Sequence, residues 1–527
     1  MTRLRVALFL VLFASYAYFY QAGGWNQNSR FNLVRAITND HSLRVDPYHR
    51  STGDQAVFDG HYYADKAPGL SFSAVPVVAA ARAILHAFGG DAESYEGIAL
   101  LSYLATVFTA GLLTALAAVT LFNLSIALGA TSGGALFAAL TFGLATPMWP
   151  LATLFIGHAF SAAYLVFAFA AATRIGADTW VGPDDHRAAA HIDARVAADP
   201  RVRREIINGL IVGVAAGWAT VSEFPAAIPA AVLASYAAIN AWPLGRERAL
   251  RILGALAAGA AACAAVLMAY QYACFGSPFH IAYSSEQAGF EGMQTGVFGV
   301  HVPQAGILSR VLFGTYRGLL PLAPALLFAP FGLIAMLRTR ARPAALVASI
   351  VALYYLLLNA SYAYWEGGWS YGPRHLSPAI PFLCLGLARL WSAAPRPARA
   401  GLAGVSAYGA ALSLVAVATM AQPPASIQRP VTELLLPAFR DGDLSLNTQR
   451  FTDSGASALR AHVEPKAAWN LGMKIGLTGH ASLLPLALVW AAAGALIVAI
   501  YGDGSGTRRS PSRGDPTSAS AAARGSA

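Results

Sequence analysis

Residues 54–69 read D-Q-A-V-F-D-G-H-Y-Y-A-D-K-A-P-G. This stretch holds three carboxylates (Asp54, Asp59, Asp65), His61, the Tyr62-Tyr63 pair and Lys66, closed by Pro68-Gly69. A carboxylate beside others in a partly dry site has its pKa raised into the range a general base needs, so Asp54, Asp59 and Asp65 are candidate bases. Each also has a plain structural use, as a helix cap or as a partner of Arg30, Arg35 or Lys66. Lys66 is a compact ammonium suited to a point contact with phosphate. The chain's lysines are Lys66, Lys466 and Lys474 alone, against abundant arginine. Arginine-favouring codon usage explains that scarcity, but not the place of Lys66 inside D-K-A-P-G. Asp59-x-His61-x-x-x-Asp65 offers mixed oxygen and nitrogen ligands for a divalent ion. Without a second histidine the pattern is weak, and no cofactor is firmly expected.

Further ionisable residues stand near the ends of apolar runs: His158 in L-F-I-G-H, Glu223 in V-S-E-F-P, Arg317 in Y-R-G-L-L-P, and Glu366 with Arg374 in W-E-G-G-W-S-Y-G-P-R-H. Charges at membrane depth are costly and usually line a polar cavity or a ligand path. Any one of them alone reads equally well as an interfacial charge reaching water. Their agreement in side favours one shared pocket, in which Arg374 gives a bidentate contact to the anion held by Lys66. Tyr62, Tyr63, Trp365 and Trp369 can stack on a ring-shaped ligand, or form the aromatic belt of a membrane protein.

The elements that position these residues follow from composition. The chain of 527 residues is 56% hydrophobic and 12% charged, about half the charge of an ordinary globular domain. Apolar runs long enough to cross a hydrocarbon core of about 30 Å recur throughout. The expected fold is an all-α polytopic membrane protein. Arg3 and Arg5 before residues 6–20 resemble a signal sequence without a clear cleavage site, read as a retained first span. Further spans are expected at 98–121, 133–147, 151–173, 206–221, 225–242, 252–272, 319–337, 344–362, 376–390, 402–420 and 483–501, about twelve in all. The run 70–88, with Pro76, Arg82 and His86, reads as interfacial or re-entrant. Phe31, Val34 and Ile37 at helical spacing opposite Arg30 and Asn32 suit an amphipathic helix lying on the membrane surface.

The net charge of +10 does not point to nucleic acid, because the arginines concentrate in alternate short loops as the positive-inside rule requires. That rule places both termini in the cytoplasm, with outer segments at 21–96, 273–318 and 421–480. Residues 1–501 then form one transmembrane domain, and 502–527 a disordered cytoplasmic tail. Cys263, Cys274 and Cys384 lie in or beside apolar runs without paired spacing and read as small apolar residues.

A first span followed by a long outer loop with surface helices and the Y-Y-A-D-K-A-P-G motif resembles the GT-C superfamily of membrane glycosyltransferases, in particular its bacterial protein O-mannosyltransferase and aminoarabinose transferase branch. G-L-L-P-L-A-P after Arg317, W-S-Y-G-P-R-H-L-S-P around Arg374 and N-L-G-M-K-I-G-L before the last run add to the resemblance, whose firm part is residues 25–76. It implies transfer of a sugar from a polyprenyl-phosphate carrier to a lipid, glycan or protein acceptor, at the outer face of a bacterial plasma membrane. It also implies a carboxylate base in the first outer loop and a cation on the carrier phosphate.

One departure stands out. Where the family shows Asp-Glu soon after the first span, this chain has Gln27-Asn28, and amides cannot act as a base. The expected catalytic residues are therefore Asp54 and Asp59, with Asp40 as a possible helper. Lys66, Arg374 and Arg317 are expected on the donor phosphate. His61, Tyr62, Tyr63, Asp65, His158, Glu223, Glu366 and Trp369 are expected around the substrates. The alternatives are a transporter or flippase of a lipid-linked sugar, and a non-catalytic member of a glycan-assembly complex. The absence of an internal repeat, and charges gathered at one face rather than at the midplane, favour the enzyme.

Overall fold

The computed structural model describes residues 1–176, 200–286, 290–447, 449, 451–452 and 468–506, with side chains as far as residue 500. It is overwhelmingly helical. The principal helices are α1 (Thr2–Ala17), α2 (Trp25–Asp40), α3 (Gly69–Ala87), α4 (Tyr95–Ala127), α5 (Ser132–Leu144), α6 (Gly157–Arg174), α7 (Pro200–Ser222), α8 (Ala227–Ala241), α9 (Arg246–Phe275), α10 (Ala305–Phe313), α11 (Ala329–Met336), α12 (Arg342–Ser361), α13 (Ile380–Ala393), α14 (Arg396–Ala418) and α15 (Leu484–Gly506).

Among the described residues, 8 helices are long and apolar enough to cross a membrane. Every run expected to span is helical, but α1, α5, α6, α11 and α13 fall outside that set. Conversely α3, read from sequence as interfacial, is an unbroken helix of 19 residues that meets the length and composition of a span despite Pro76. The expected number of spans is therefore not reproduced element by element. The expected tail falls largely on residues 507–527, outside the described residues, and α15 runs on to Gly506.

Helix ends follow local chemistry. The Ser94 and Thr131 side chains accept hydrogen bonds from the Gly97 and Gly134 amides and start α4 and α5. Lipid does not drive apolar helices together, so close backbone approach must. In α7, Gly209, Gly213 and Gly217 lie one turn apart against α9, and a Cβ at Gly213 would collide with the Leu256 carbonyl. A Cβ at Gly332 of α11 would likewise strike the Gly386 backbone of α13. Most of α9 and nearly all of α15 turn their apolar side chains outward, as a lipid-facing surface does.

Two short antiparallel pairs organise the polar end of the bundle. Strand β1 (Phe19–Gln21), leaving α1, pairs with β4 (Ala468–Asn470), which precedes α15. Strands β2 (Gln55–Phe58) and β3 (His61–Ala64) form a hairpin through Asp59-Gly60. Positive φ at both turn residues (50° and 75°) matches the type I′ turn that Asp-Gly favours.

Helix α2 forms where the apolar spacing predicts it, but it is not a surface helix with a wet polar face. Residues 26–36 are all buried. The polar face of α2 is covered by the hairpin segment, which it clamps: Asn28 Nδ2 donates to the Ser51 carbonyl (2.7 Å), Asn32 Nδ2 to the Tyr48 carbonyl (3.0 Å) and Ser29 Oγ to Asp65 Oδ1 (2.9 Å). This is how buried polar groups avoid the cost of desolvation.

Candidate active site

Hairpin register assembles the charged cluster. Gln55 pairs with Ala64, so Asp54, one residue before β2, faces Asp65, one residue after β3. Lys66 follows, and its ammonium lies 3.0 Å from Asp54 Oδ2 and also binds Asp65 Oδ2. Asp65 is fully buried, Asp54 nearly so. Glu286 joins from the segment after α9, because its backbone bridges to Ala56 on the hairpin edge.

Burial lifts the Asp54 carboxyl above its ordinary range, with the Lys66 charge pulling against it and the Asp65 charge adding to it. Burial also opposes the Lys66 charge, but Asp54 and Asp65 outweigh it and hold that group well above the usual lysine range. Glu286 is pushed up to about 8, first by burial, with Lys66 opposing and Asp65 and Asp54 adding. Three acids thus act on one lysine, and burial raises both Asp54 and Glu286.

The cluster opens into a cavity with two lobes. The first lobe, of about 490 Å³, carries the carboxylates Asp54, Glu286 and Glu366 with Trp369, Gln422 and Gln449 among others. The second lobe, of about 290 Å³, has walls of Phe224, Val297, Phe298, Tyr354, Tyr355 and Leu358. Asn26, Lys66, Tyr283, Met293, Tyr362, Arg374 and His375 border both. The Nε atoms of Arg374 and the Nε2 atoms of His158 and His375 are buried without a protein partner. The two imidazoles meet edge to face at 5.2 Å. Burial and then the Arg374 charge push His375 well below the usual histidine range, leaving it neutral. Gly367 (φ 71°) is needed here, because a Cβ would come within 2.9 Å of the Arg374 side chain that lies over this loop.

Of the residues singled out from sequence, Asp54, Lys66, His158, Glu223, Glu366, Trp369 and Arg374 line this cavity, and Asp65 holds Lys66 from behind. Others are placed elsewhere. Asp59 sits exposed at the hairpin tip, about 16 Å along the strand from Asp54 at 3.3 Å per residue. His61 bonds Asp46 (2.9 Å), Tyr62 stacks on His49 (4.1 Å) and Tyr63 is buried against Phe275. Asp40 accepts from the Tyr48 hydroxyl (2.7 Å) at the far end of α2. Arg317 is fully buried outside the cavity lining. Its Nη2 donates to the carbonyls of Gly368 (2.9 Å) and Pro423 (3.3 Å), so it fixes the loop that carries Trp369.

Glu223 is engaged by Arg30 at 2.5 Å, and Arg30 also donates to the Ala67 carbonyl just after Lys66 (2.9 Å). Gln27 and Asn28 are structural. Gln27 Nε2 donates to the carbonyls of Gly23 (2.7 Å) and Gln21 (3.1 Å) and to Gln422 Oε1 (2.9 Å), and its Oε1 accepts from the Phe155 amide (2.8 Å). Trp25 and Asn26, at the start of the helix, are what α2 presents to the cavity. The possible metal set does not converge, since Asp59, His61 and Asp65 occupy the tip, the flank and the base of the hairpin. Among the described residues no group of three His, Cys, Asp or Glu side chains is arranged to hold a metal ion.

Sequence reasoning passed over Glu286, Tyr283, Tyr362, His375 and Asn26 as site residues. His375 lies inside the quoted motif around Arg374; Glu286 carries no local signal, being recruited only by its bridge to Ala56.

No family model matches the chain, and no curated protein sequence matches it. Among solved structures it is similar to ArnT from Cupriavidus metallidurans bound to undecaprenyl phosphate, at 17% identity over 84% of this chain and 68% of that one, with a TM-score of 0.46. The apo state of the same protein gives 19% identity, 84% and 70% coverage and a TM-score of 0.45. The archaeal oligosaccharyltransferase AglB from Archaeoglobus fulgidus, in complex with an inhibitory peptide and a dolichol-phosphate, is 14% identical over 88% of this chain and 59% of that one, with a TM-score of 0.44.

Proposed function

We propose that this chain is a multi-pass membrane glycosyltransferase that moves a sugar from a polyprenyl-phosphate-linked donor to a lipid, glycan or protein acceptor at the outer face of the membrane. The observation that carries this reading is that Lys66 and Arg374 stand on the wall shared by two lobes, one holding the carboxylates Asp54, Glu286 and Glu366 and the other walled largely by aromatic and aliphatic side chains beside His158 and Glu223. A lipid-linked sugar has the same order of parts: apolar chain, phosphate, sugar. With the chain end against Phe224, Val297, Phe298 and Leu358 of the second lobe and the sugar beside Asp54, Glu366 and Trp369, the phosphate falls against the two cations.

The chemistry follows from those positions. The acceptor hydroxyl gives its proton to Asp54 while its oxygen attacks the anomeric carbon. The bond from that carbon to the phosphate oxygen breaks, and the polyprenyl phosphate leaves with the electron pair. Lys66 and Arg374 stabilise the charge that develops on the leaving group. Attack opposite the departing phosphate inverts the anomeric centre. Asp59 has no part in this step, and Arg317 acts by holding the 366–369 loop.

A transporter would need a path through the bundle. The two lobes share no lining residue with the large cavity at the other end, and the buried Phe160 and Phe169 of α6 lie between, which favours the enzyme. The test is reconstitution in nanodiscs with a panel of polyprenyl-phosphate-linked sugars, followed by release of polyprenyl phosphate. Turnover that Lys66→Ala abolishes supports the reading; absence of turnover with every donor and acceptor class counts against it.

A further inference from the structure

At the opposite end of the bundle from Lys66 lies a larger cavity, of about 780 Å³. Helix α6 links the two, beginning at His158 in the wall of the first and ending at Arg174 in the wall of the second, about 24 Å away at 1.5 Å per residue. This is the end that the arginine-rich loops assign to the cytoplasm.

Four arginines line the cavity, from four separate parts of the chain: Arg5 of α1, Arg174 at the end of α6, Arg340 in the turn before α12, and Arg389 of α13. Among the described residues no Asp or Glu lines it, and none of the four arginines is in an ion pair. Arg174 and Arg340 are exposed, whereas Arg5 and Arg389 are half-buried. The Nε donors of Arg5 and Arg389 are buried with no hydrogen-bond partner.

Such an arrangement is costly when empty. A buried donor without an acceptor leaves its desolvation uncompensated, and like charges gathered around one hollow repel one another. Both costs fall when an anion with several acceptor oxygens enters. Guanidinium forks match phosphate oxygens in pairs. The rest of the lining mixes the polar Asn123, Thr173, Tyr236, Asn240 and Thr339 with apolar residues, including Leu124, Ile126, Ala170 and Ile175, and the apolar part suits the acyl stem of a phospholipid. Basic pockets between transmembrane helices on the cytoplasmic side are a general way to hold anionic headgroups.

We infer that this cavity is a second binding site, for a phosphate-bearing anion: the headgroup of an anionic phospholipid or a free phosphate species. The inference does not depend on the transferase reading, and either can fail alone.

The full-length protein in detergent is offered phosphatidylglycerol or phosphatidylcholine and examined by native mass spectrometry. In a second arm, thermal unfolding is followed with inorganic phosphate against chloride at matched ionic strength. The site predicts at least tenfold preferential retention of phosphatidylglycerol, or a rise in midpoint with phosphate. Either effect is lost in R5Q/R389Q and largely kept in R5K/R389K. A response to the lipid alone assigns the headgroup, and a response to phosphate alone assigns a soluble anion. If R5Q/R389Q does not fold, the exposed pair R174Q/R340Q takes its place. No preference in either arm, or glutamine variants that bind like the parent, overturns the site.

Discussion

Lys66 meets Asp54 at 3.0 Å because the two residues flank the open end of one hairpin, one just before β2 and the other two residues after β3. The ammonium is therefore placed by strand register and by the polar face of α2, not by a flexible loop. A site built this way is rigid at the contact that matters, and it separates two aspartates that look alike in sequence.

That separation is testable. Asp54→Asn is expected to lower kcat for sugar transfer by about 10²–10⁴, the usual contribution of a general base. Asp59→Asn is expected to leave kcat unchanged, since asparagine also tolerates the positive φ of the hairpin tip. Equal loss in both variants, read from initial rates with a lipid-linked donor, would remove Asp54 from its role.

Arg30 and Glu223 form a buried ion pair, with side chains 1% and 11% exposed. Removing one partner leaves the other charge uncompensated, so Glu223→Ala is expected to cost about 3–5 kcal/mol. The double change Arg30→Met with Glu223→Leu should cost less than Glu223→Ala alone. Thermal unfolding in detergent measures both. A cheap single truncation would mean that water already reaches the pair.

Glu286 predicts a dependence of stability on pH. Its folded pKa, about 8, lies above that of the unfolded chain, so between those values the folded state binds the extra proton. Its contribution to stability is fully present below the unfolded pKa and is lost as pH rises towards 8. Glu286→Gln removes that titration. The midpoint of the variant relative to the parent should therefore rise from pH 5 to pH 8 and level off above it. A difference that does not change with pH would mean that the Glu286 carboxyl is not raised in the folded state.

Gln27 occupies a position where the resembling family carries an acid, yet it donates to two carbonyls and a second glutamine. Gln27→Glu would set an anion against those oxygens. The expected outcome is a lower unfolding midpoint and no gain in transfer rate. A faster enzyme would mean that α2 can turn this residue towards the cavity.

The sequence carried the local part of the site and missed the distant part, for a physical reason. The cluster at Asp54, Asp65 and Lys66 was legible because its members are close in the chain. The Asp59-Gly60 turn was written there too, and its hairpin register would have sorted the two aspartates. The apolar spacing of Phe31, Val34 and Ile37 announced α2, but what covers its polar face is set by packing. Glu286 depends on one backbone bridge between loops, and no residue pattern encodes that. Arg317 looked like an anion ligand because arginine near a span end usually reaches outward; here two carbonyls claim its Nη2. Span counting was similarly incomplete, because short helices packed inside a bundle need not be as long as those facing lipid.

Strand β1 leaves the first helix and is completed by β4, more than four hundred residues later. Tyr18 reinforces that junction by donating to the Ser482 carbonyl at 2.6 Å. During synthesis the segment that carries α2 and its hairpin must therefore wait, with one edge unmatched, until almost the whole polypeptide has been threaded into the bilayer. A nascent chain halted before residue 468 would hold Asp54, Lys66, Glu286 and Arg374 and still lack the strand that pairs with β1.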